Sequence, residues 1–180
     1  MLVQPTPYED PATSSMIASA STQFSYLRPD PPPRREALKA AFVKLNYCQP
    51  GDERPKWVPC ANIRPSEDYT NAFLSHARLY VFAEKFDIQP LKRLVLENVH
   101  QTLTIFRLWP DCVSAIVSLL QYVYANTLKP SHGEEPMRSL LKRYICYEME
   151  TMSKAASFRK LLGQDSDLLD DFCLHLENWT

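Results

Sequence analysis

Residues Tyr69 to Leu103, Y-T-N-A-F-L-S-H-A-R-L-Y-V-F-A-E-K-F-D-I-Q-P-L-K-R-L-V-L-E-N-V-H-Q-T-L, decide the reading of this chain. They predict two helices separated by a tight break. The first places Phe73, Leu74, Ala77, Leu79, Tyr80, Val81, Phe82, Ala83 and Phe86 on almost every side. That pattern is expected of a helix covered by neighbours rather than lying on a surface. Pro90 then ends it and suits the first turn of a second helix, where its missing amide donor would be unpaired in any case. Asp87 is expected to cap that second helix, its charge near the amide end of the dipole. The second helix has a narrower stripe of Leu91, Leu94, Val95, Asn98 or Val99, and Leu103, with Lys92, Arg93 and Glu97 outside it. Arg93 and Glu97 have the spacing of a helical ion pair, worth about 0.2–0.5 kcal/mol.

Downstream, every segment reads as helix and none as strand. Pro110-Asp111 opens a helix with a stripe of Val113, Ile116, Val117, Leu120, Val123 and Tyr124. The polar loop K-P-S-H-G-E-E-P leads to a helix from near Pro136 that carries Met137, Leu140, Leu141, Tyr144, Ile145, Met149 and Met152. A short helix from about Ser153 to Leu162 is expected to close on Gly163 in the left-handed conformation. The last runs from about Ser166 to Trp179, with Leu168, Leu169, Phe172, Cys173, Leu176 and Trp179 facing inward. Asp165, Asp167, Asp170 and Asp171 cluster at its amino end, where the dipole favours them. At the start of the central pair, Ser66-Glu67-Asp68 offers capping oxygens and negative charge.

Upstream of residue 67 the chain changes character. Eleven of its fifteen prolines lie there, with a Ser/Thr/Ala patch from Thr13 to Thr22 and the run Pro31-Pro32-Pro33. Such a segment buries little apolar surface, so residues 1–66 are expected to form a largely disordered or extended arm. The triple-proline run is read as a solvated linker rather than an SH3 ligand. One island interrupts the arm: R-R-E-A-L-K-A-A-F-V-K-L-N, with Leu38, Ala41, Phe42 and Leu45 at helical spacing, predicts a short amphipathic helix near 34–46. It suits a docking helix or a strut packed on its own domain. The expected fold is therefore all-α, an irregular array of about six helices over 67–180 behind a proline-rich arm.

From His76 to Leu94 the run H-A-R-L-Y-V-F-A-E-K-F-D-I-Q-P-L-K-R-L resembles the helix pair in the second half of fungal BTB/POZ domains. T-L-T-I-F-R-L-W-P-D, L-L-Q-Y-V-Y-A-N-T and Y-E-M-E-T, in that order, resemble the helical extension of the same proteins. The likeness spans roughly residues 66 to 180. A complete BTB domain begins with a strand-and-helix unit further upstream, and no such unit is legible here. The resemblance implies a module that dimerises and recruits protein partners. Some relatives of that kind are adaptors for cullin-type ubiquitin ligases. The family's dimer face and much of its cullin-contacting surface belong to the first half of the domain.

Composition narrows the function classes. The chain has 180 residues, a formal net charge of −1 and a pI near 6.4, which supplies no electrostatic case for nucleic acid or an anionic membrane. Lys92 and Arg93 on a recognition helix would be too few cations for DNA. Five scattered cysteines, Cys48, Cys60, Cys112, Cys146 and Cys173, suggest reduced thiols in an intracellular protein, cytoplasmic or nuclear. No secretory signal or membrane-spanning run is read from the sequence, and the sequon Asn178-Trp179-Thr180 is taken as chance. Three glycines, Gly51, Gly133 and Gly163, do not make a phosphate-cradling loop or a G-x-S-x-G elbow.

His76, His100, His132 and His175 share no ligand spacing with a cysteine or carboxylate, so neither metal nor cofactor is expected. Glu148 and Glu150 stand two apart on a helix and point to different faces, which cannot flank one substrate bond. Cys146 and Cys173 are expected to behave as small core hydrophobes, and His76 as a packed or half-buried histidine. The reading that results is a protein–protein interaction module, an adaptor or scaffold, with protein partners or self-association. The alternative is a small helical enzyme whose site is assembled from scattered residues. The candidate interaction surface comprises Leu38, Phe42, Phe73, Tyr80, Phe86, Leu91 and Leu94. The central helix is expected to leave apolar surface exposed unless the helix near 34–46 folds over it.

Overall fold

The computed structural model describes residues 34–47, 58–128 and 133–177, with side chains through 173. The proline-rich segment 1–33, Cys48, His132, His175 and the inward placement of Leu176 and Trp179 lie outside the described residues. The described chain is all-helical. In order come α1 (Arg34–Val43), α2 (Thr70–Lys85), α3 (Gln89–Ile105), a 3-10 turn (Pro110–Cys112) leading into α4 (Val113–Asn126), α5 (Pro136–Lys154), α6 (Ala156–Gln164) and α7 (Ser166–Glu177). No strand occurs among the described residues.

The core sits on α4 and α5 rather than on the α2–α3 pair. In α4 the predicted stripe of Val113, Ile116, Val117, Leu120, Val123 and Tyr124 is buried, and Ala115 and Leu119 join it. That width of apolar surface lets α4 pack on α2, α5 and α6 together. On α5, Met137, Leu140, Leu141, Tyr144, Ile145 and Met152 are buried as their spacing predicts, while Met149 is half-buried. α5 receives α1 on one side and α6 and α7 on others.

α1 belongs to this body. Phe42 is 1% exposed and its ring lies 4.9 Å from His100, 5.2 Å from Tyr147 and 5.7 Å from Tyr144. His100 Nε2 stands 2.9 Å from the Phe42 carbonyl and donates to it. At the other end of α1, Arg35 Nη2 donates to Glu148 at 2.8 Å and Nε to the Tyr147 carbonyl at 3.2 Å. α1 is thus a strut against its own domain, seated on α5. It does not fold over α2, and Leu79, Phe82 and Phe86 of α2 remain exposed. Phe42 prefers the aromatic pocket of α5 because there its whole ring leaves water, which stabilises by about 1.5–3 kcal/mol.

The break between α2 and α3 differs from expectation in an informative way. Asp87 does not cap α3. It adopts φ +52°, closing α2 in the left-handed conformation that glycine or asparagine usually supplies. The Ile88 amide donates to the Ala83 carbonyl at 2.8 Å and the Asp87 amide to Glu84 at 3.2 Å, the paired bonds of a Schellman closure. Asp87 Oδ1 instead accepts from Gln89 Nε2. Pro90 enters the first turn of α3 as predicted. Upstream, Asp68 Oδ1 accepts from the Thr70 amide at 2.8 Å, and hydrogen bonding by Thr70, from its side chain first and its amide second, holds the Asp68 carboxyl below its usual range.

Three further expectations are revised near the carboxyl end. Gly163 lies within α6, which ends at Gln164, so it is not the left-handed closing residue. α5 runs on to Lys154 and breaks at the extended residue Ala155, so α6 begins at Ala156 rather than Ser153. On α7, Leu168 and Phe172 are buried, but Leu169 is 44% exposed and Cys173 also faces out. Leu168 and Phe172 are four residues apart and occupy one face, and one face is all that a terminal helix needs to bury. Asp165 Oδ1 accepts from the Leu168 amide at 3.0 Å and caps α7. A contact absent from the sequence reading clamps the approach to α2. Asn62, 1% exposed, accepts from the Arg107 amide at 2.7 Å and donates to the Arg107 carbonyl at 2.8 Å.

Candidate interaction surface

α2 is two-sided. Phe73, Ala77, Tyr80 and Ala83 recur at steps of three and four and are fully buried against α3 and α4. The opposite face carries Asn71, Ser75, Arg78, Leu79, Phe82, Lys85 and Phe86, all exposed. Leu79 is 41% exposed, Phe82 48% and Phe86 58%, and Ile88 just beyond the turn is 38% exposed. The Phe82 and Phe86 rings lie 4.6 Å apart between centroids, so the two form one apolar knob rather than isolated side chains. Lys85 Nζ stands 6.0 Å from the centre of the Phe86 ring. Arg78 and Lys85, two turns apart, share one edge of this face. Leu79 and Phe86, also two turns apart, share the other, with Phe82 between them.

On the basic edge the surface falls into a cavity of ≈ 480 Å³. Val81, Glu84, Lys85 and Lys92 line it from α2 and α3, and Thr127 and Glu135 from the α4–α5 side. Its carboxylates are committed internally. Glu84 pairs with Lys92, whose Nζ also stands 5.2 Å over the Tyr80 ring. Glu135 accepts from the Tyr80 hydroxyl and, at 2.7 Å, from the Arg138 amide that begins α5. Glu134 accepts from Ser139 and from Lys142 at 3.3 Å, and these bonds hold its carboxyl below the usual range.

Behind the cavity wall, Arg138 is 3% exposed and ties α5 to the end of α4. Its Nε donates to Thr127 Oγ1 at 2.9 Å, its Nη2 to the carbonyls of Tyr124 and Thr127, and its guanidinium stacks 4.4 Å over the Tyr124 ring. Tyr124 in turn donates to Asp171 at 3.2 Å. This chain of polar groups, invisible to periodicity, satisfies carbonyls left over where α4 ends.

Of the residues expected to form the interaction surface, Phe42, Phe73 and Tyr80 are core residues, at 1%, 0% and 0% exposure. Leu38, Leu91 and Leu94 are half-buried, and Leu38 and Leu91 pack on the core. Phe86 alone of the set is exposed, and it sits with Leu79, Phe82 and Ile88. Those three could be picked out only as part of an all-round apolar helix, because nothing in the spacing says which face α4 covers.

The chemically suggestive residues are dispersed. Glu148 is buried and pairs with the exposed Arg35, while Glu150 is exposed and pairs with Lys154 at 2.9 Å, on different faces as their spacing requires. His76 and His100 are partly desolvated, and burial lowers the pKa of each. Cys60, Cys112, Cys146 and Cys173 are free thiols; burial pushes Cys146 up to about 11. Among the described residues no group of three or more His, Cys, Asp and Glu could hold a metal ion, and no helix is long and apolar enough to cross a membrane. No protein-family model, curated protein or solved structure matches the chain.

Proposed function

We propose that this chain is a protein–protein interaction module of the BTB/POZ kind, an adaptor or scaffold without catalytic activity of its own, acting inside the cell. The outer face of α2 is its contact surface. The observation that carries this is the knob of Leu79, Phe82 and Phe86, left exposed on a helix whose other face is fully buried. Clustered large apolar side chains on a surface mark an interface more often than single ones do, and aromatic residues dominate the energetics of such contacts. The BTB/POZ part of the reading rests on the ordered residue matches between His76 and Thr151.

The test is a photo-crosslinking residue in place of Phe82 in the full chain, with a control at the exposed Lys160 of α6. An identified protein adduct is expected at position 82, lost when Phe86→Ser is added. The same adducts at both positions, or none at position 82, would refute the assignment of this face.

A further inference from the structure

We infer that the occupant of the α2 face is an acidic amphipathic helix of another protein, and not a second copy of this chain. This rests on the reading of that face as an interface and specifies the partner's chemistry. Charge selects this occupant. On the outward face of α2 the charged side chains are Arg78 and Lys85, both basic and both on one edge of the apolar knob. The nearest carboxylates are engaged elsewhere, Glu84 with Lys92 toward α3 and Asp87 with Gln89 in the turn. The cavity beside Lys85 likewise has Glu135 and Glu134 bound to groups of their own domain. Arg78 and Lys85 are therefore the charged groups that flank the knob on the outward face, although the whole molecule is near neutral.

Self-pairing is disfavoured by the same layout. Two copies of α2 packed antiparallel about a two-fold axis keep each edge on its own side. Arg78 would then approach the other copy's Lys85, and like charges brought together cost stability. A parallel two-fold pair sets the basic edge of one copy against the apolar edge of the other. A helix with large apolar residues at i, i+3 and i+7 and glutamates or aspartates along one flank meets neither problem. Its anchors cover Leu79, Phe82 and Phe86, as helix-in-groove recognition requires. Its carboxylates reach Arg78 and Lys85.

The experiment uses the full chain and two synthetic helical peptides with the same Leu/Phe seam, one flanked by glutamates and one by lysines, followed by fluorescence anisotropy. The acidic peptide is expected to bind about tenfold or more tighter than the basic one, with affinity falling as salt rises. Arg78→Glu with Lys85→Glu should invert that preference. Phe82→Ser with Phe86→Ser should abolish binding of both peptides while the helical circular dichroism is retained. Equal affinity for the two peptides, no binding of either, or binding that survives the double serine variant overturns the inference. So does a concentration-dependent dimer in sedimentation that the serine variant dissolves. A crosslinked partner at position 82 together with no charge preference would sink this inference and leave the interface reading standing.

Discussion

Tyr144 places a hydroxyl where no group among the described residues meets it. The residue is fully buried, its ring 5.1 Å from Tyr147 and 5.7 Å from Phe42, and its oxygen has no hydrogen-bond partner. A buried hydroxyl stripped of water and left unbonded costs about 1–3 kcal/mol, so Tyr144→Phe is expected to stabilise the fold by about 1 kcal/mol. Tyr80→Phe is the counter-case, since its hydroxyl donates to Glu135 and its loss leaves a carboxylate at the start of α5 short of a donor. That variant should lose about 1–2 kcal/mol. Urea denaturation of both reads the difference. A midpoint that does not rise for Tyr144→Phe would mean that the hydroxyl is satisfied after all.

At the scale of elements, α1 depends on one side chain. Phe42 fills the space between His100, Tyr144 and Tyr147, and the Arg35–Glu148 bond at the opposite end is half open to solvent on the arginine side. Phe42→Ala should therefore cost about 3–5 kcal/mol, the range for emptying a buried aromatic site. Arg35→Ala should cost less, about 1–2 kcal/mol, because only part of its bond is shielded. Calorimetry showing equal losses would contradict this ranking. The amphipathic spacing of Leu38, Ala41 and Phe42 made α1 legible as a helix, but not its seat, because α5 lies more than a hundred positions downstream. The same limit explains α2. Its apolar residues announced burial, and only the placement of α3 and α4 decides that Phe73 is covered and Phe82 is not. Asp87 shows a third kind of limit: its residue type suits both a cap and a left-handed turn, and the Schellman bonds to Ala83 and Glu84 settle which.

At the scale of the whole molecule, four phenol groups of the described residues lie in the interior, those of Tyr80, Tyr124, Tyr144 and Tyr147. Burial raises the pKa of Tyr80, Tyr124, Tyr144 and Tyr147, and pushes the Cys146 thiol up to about 11. In the unfolded chain these groups lose protons near their ordinary values, about 10 for tyrosine and 8.5 for cysteine. Above those values the unfolded state binds fewer protons than the native one, so stability falls as pH rises through that range. Stability should hold level between about pH 7 and 8 and decline above about pH 9. In an ultraviolet titration the four buried tyrosines should ionise only as helical circular dichroism is lost. Ionisation of every tyrosine in one ordinary step, with helices intact, would contradict the burial described.

The bond between Arg35 and Glu148 joins positions 113 apart in the chain. A ribosome adding about 5–20 residues per second therefore makes α1 roughly 6–23 s before its seat on α5 exists. Through that interval Phe42 lacks the Tyr144 and Tyr147 side of its native cover, and the nascent chain presents that side to whatever holdase is at hand. Because so long a loop must close before the contact returns any stability, α1 is expected to dock after the folding transition state. The loss in Phe42→Ala should then appear chiefly as faster unfolding, with the refolding rate nearly unchanged. Stopped-flow traces with a slowed refolding limb would place α1 in the nucleus instead.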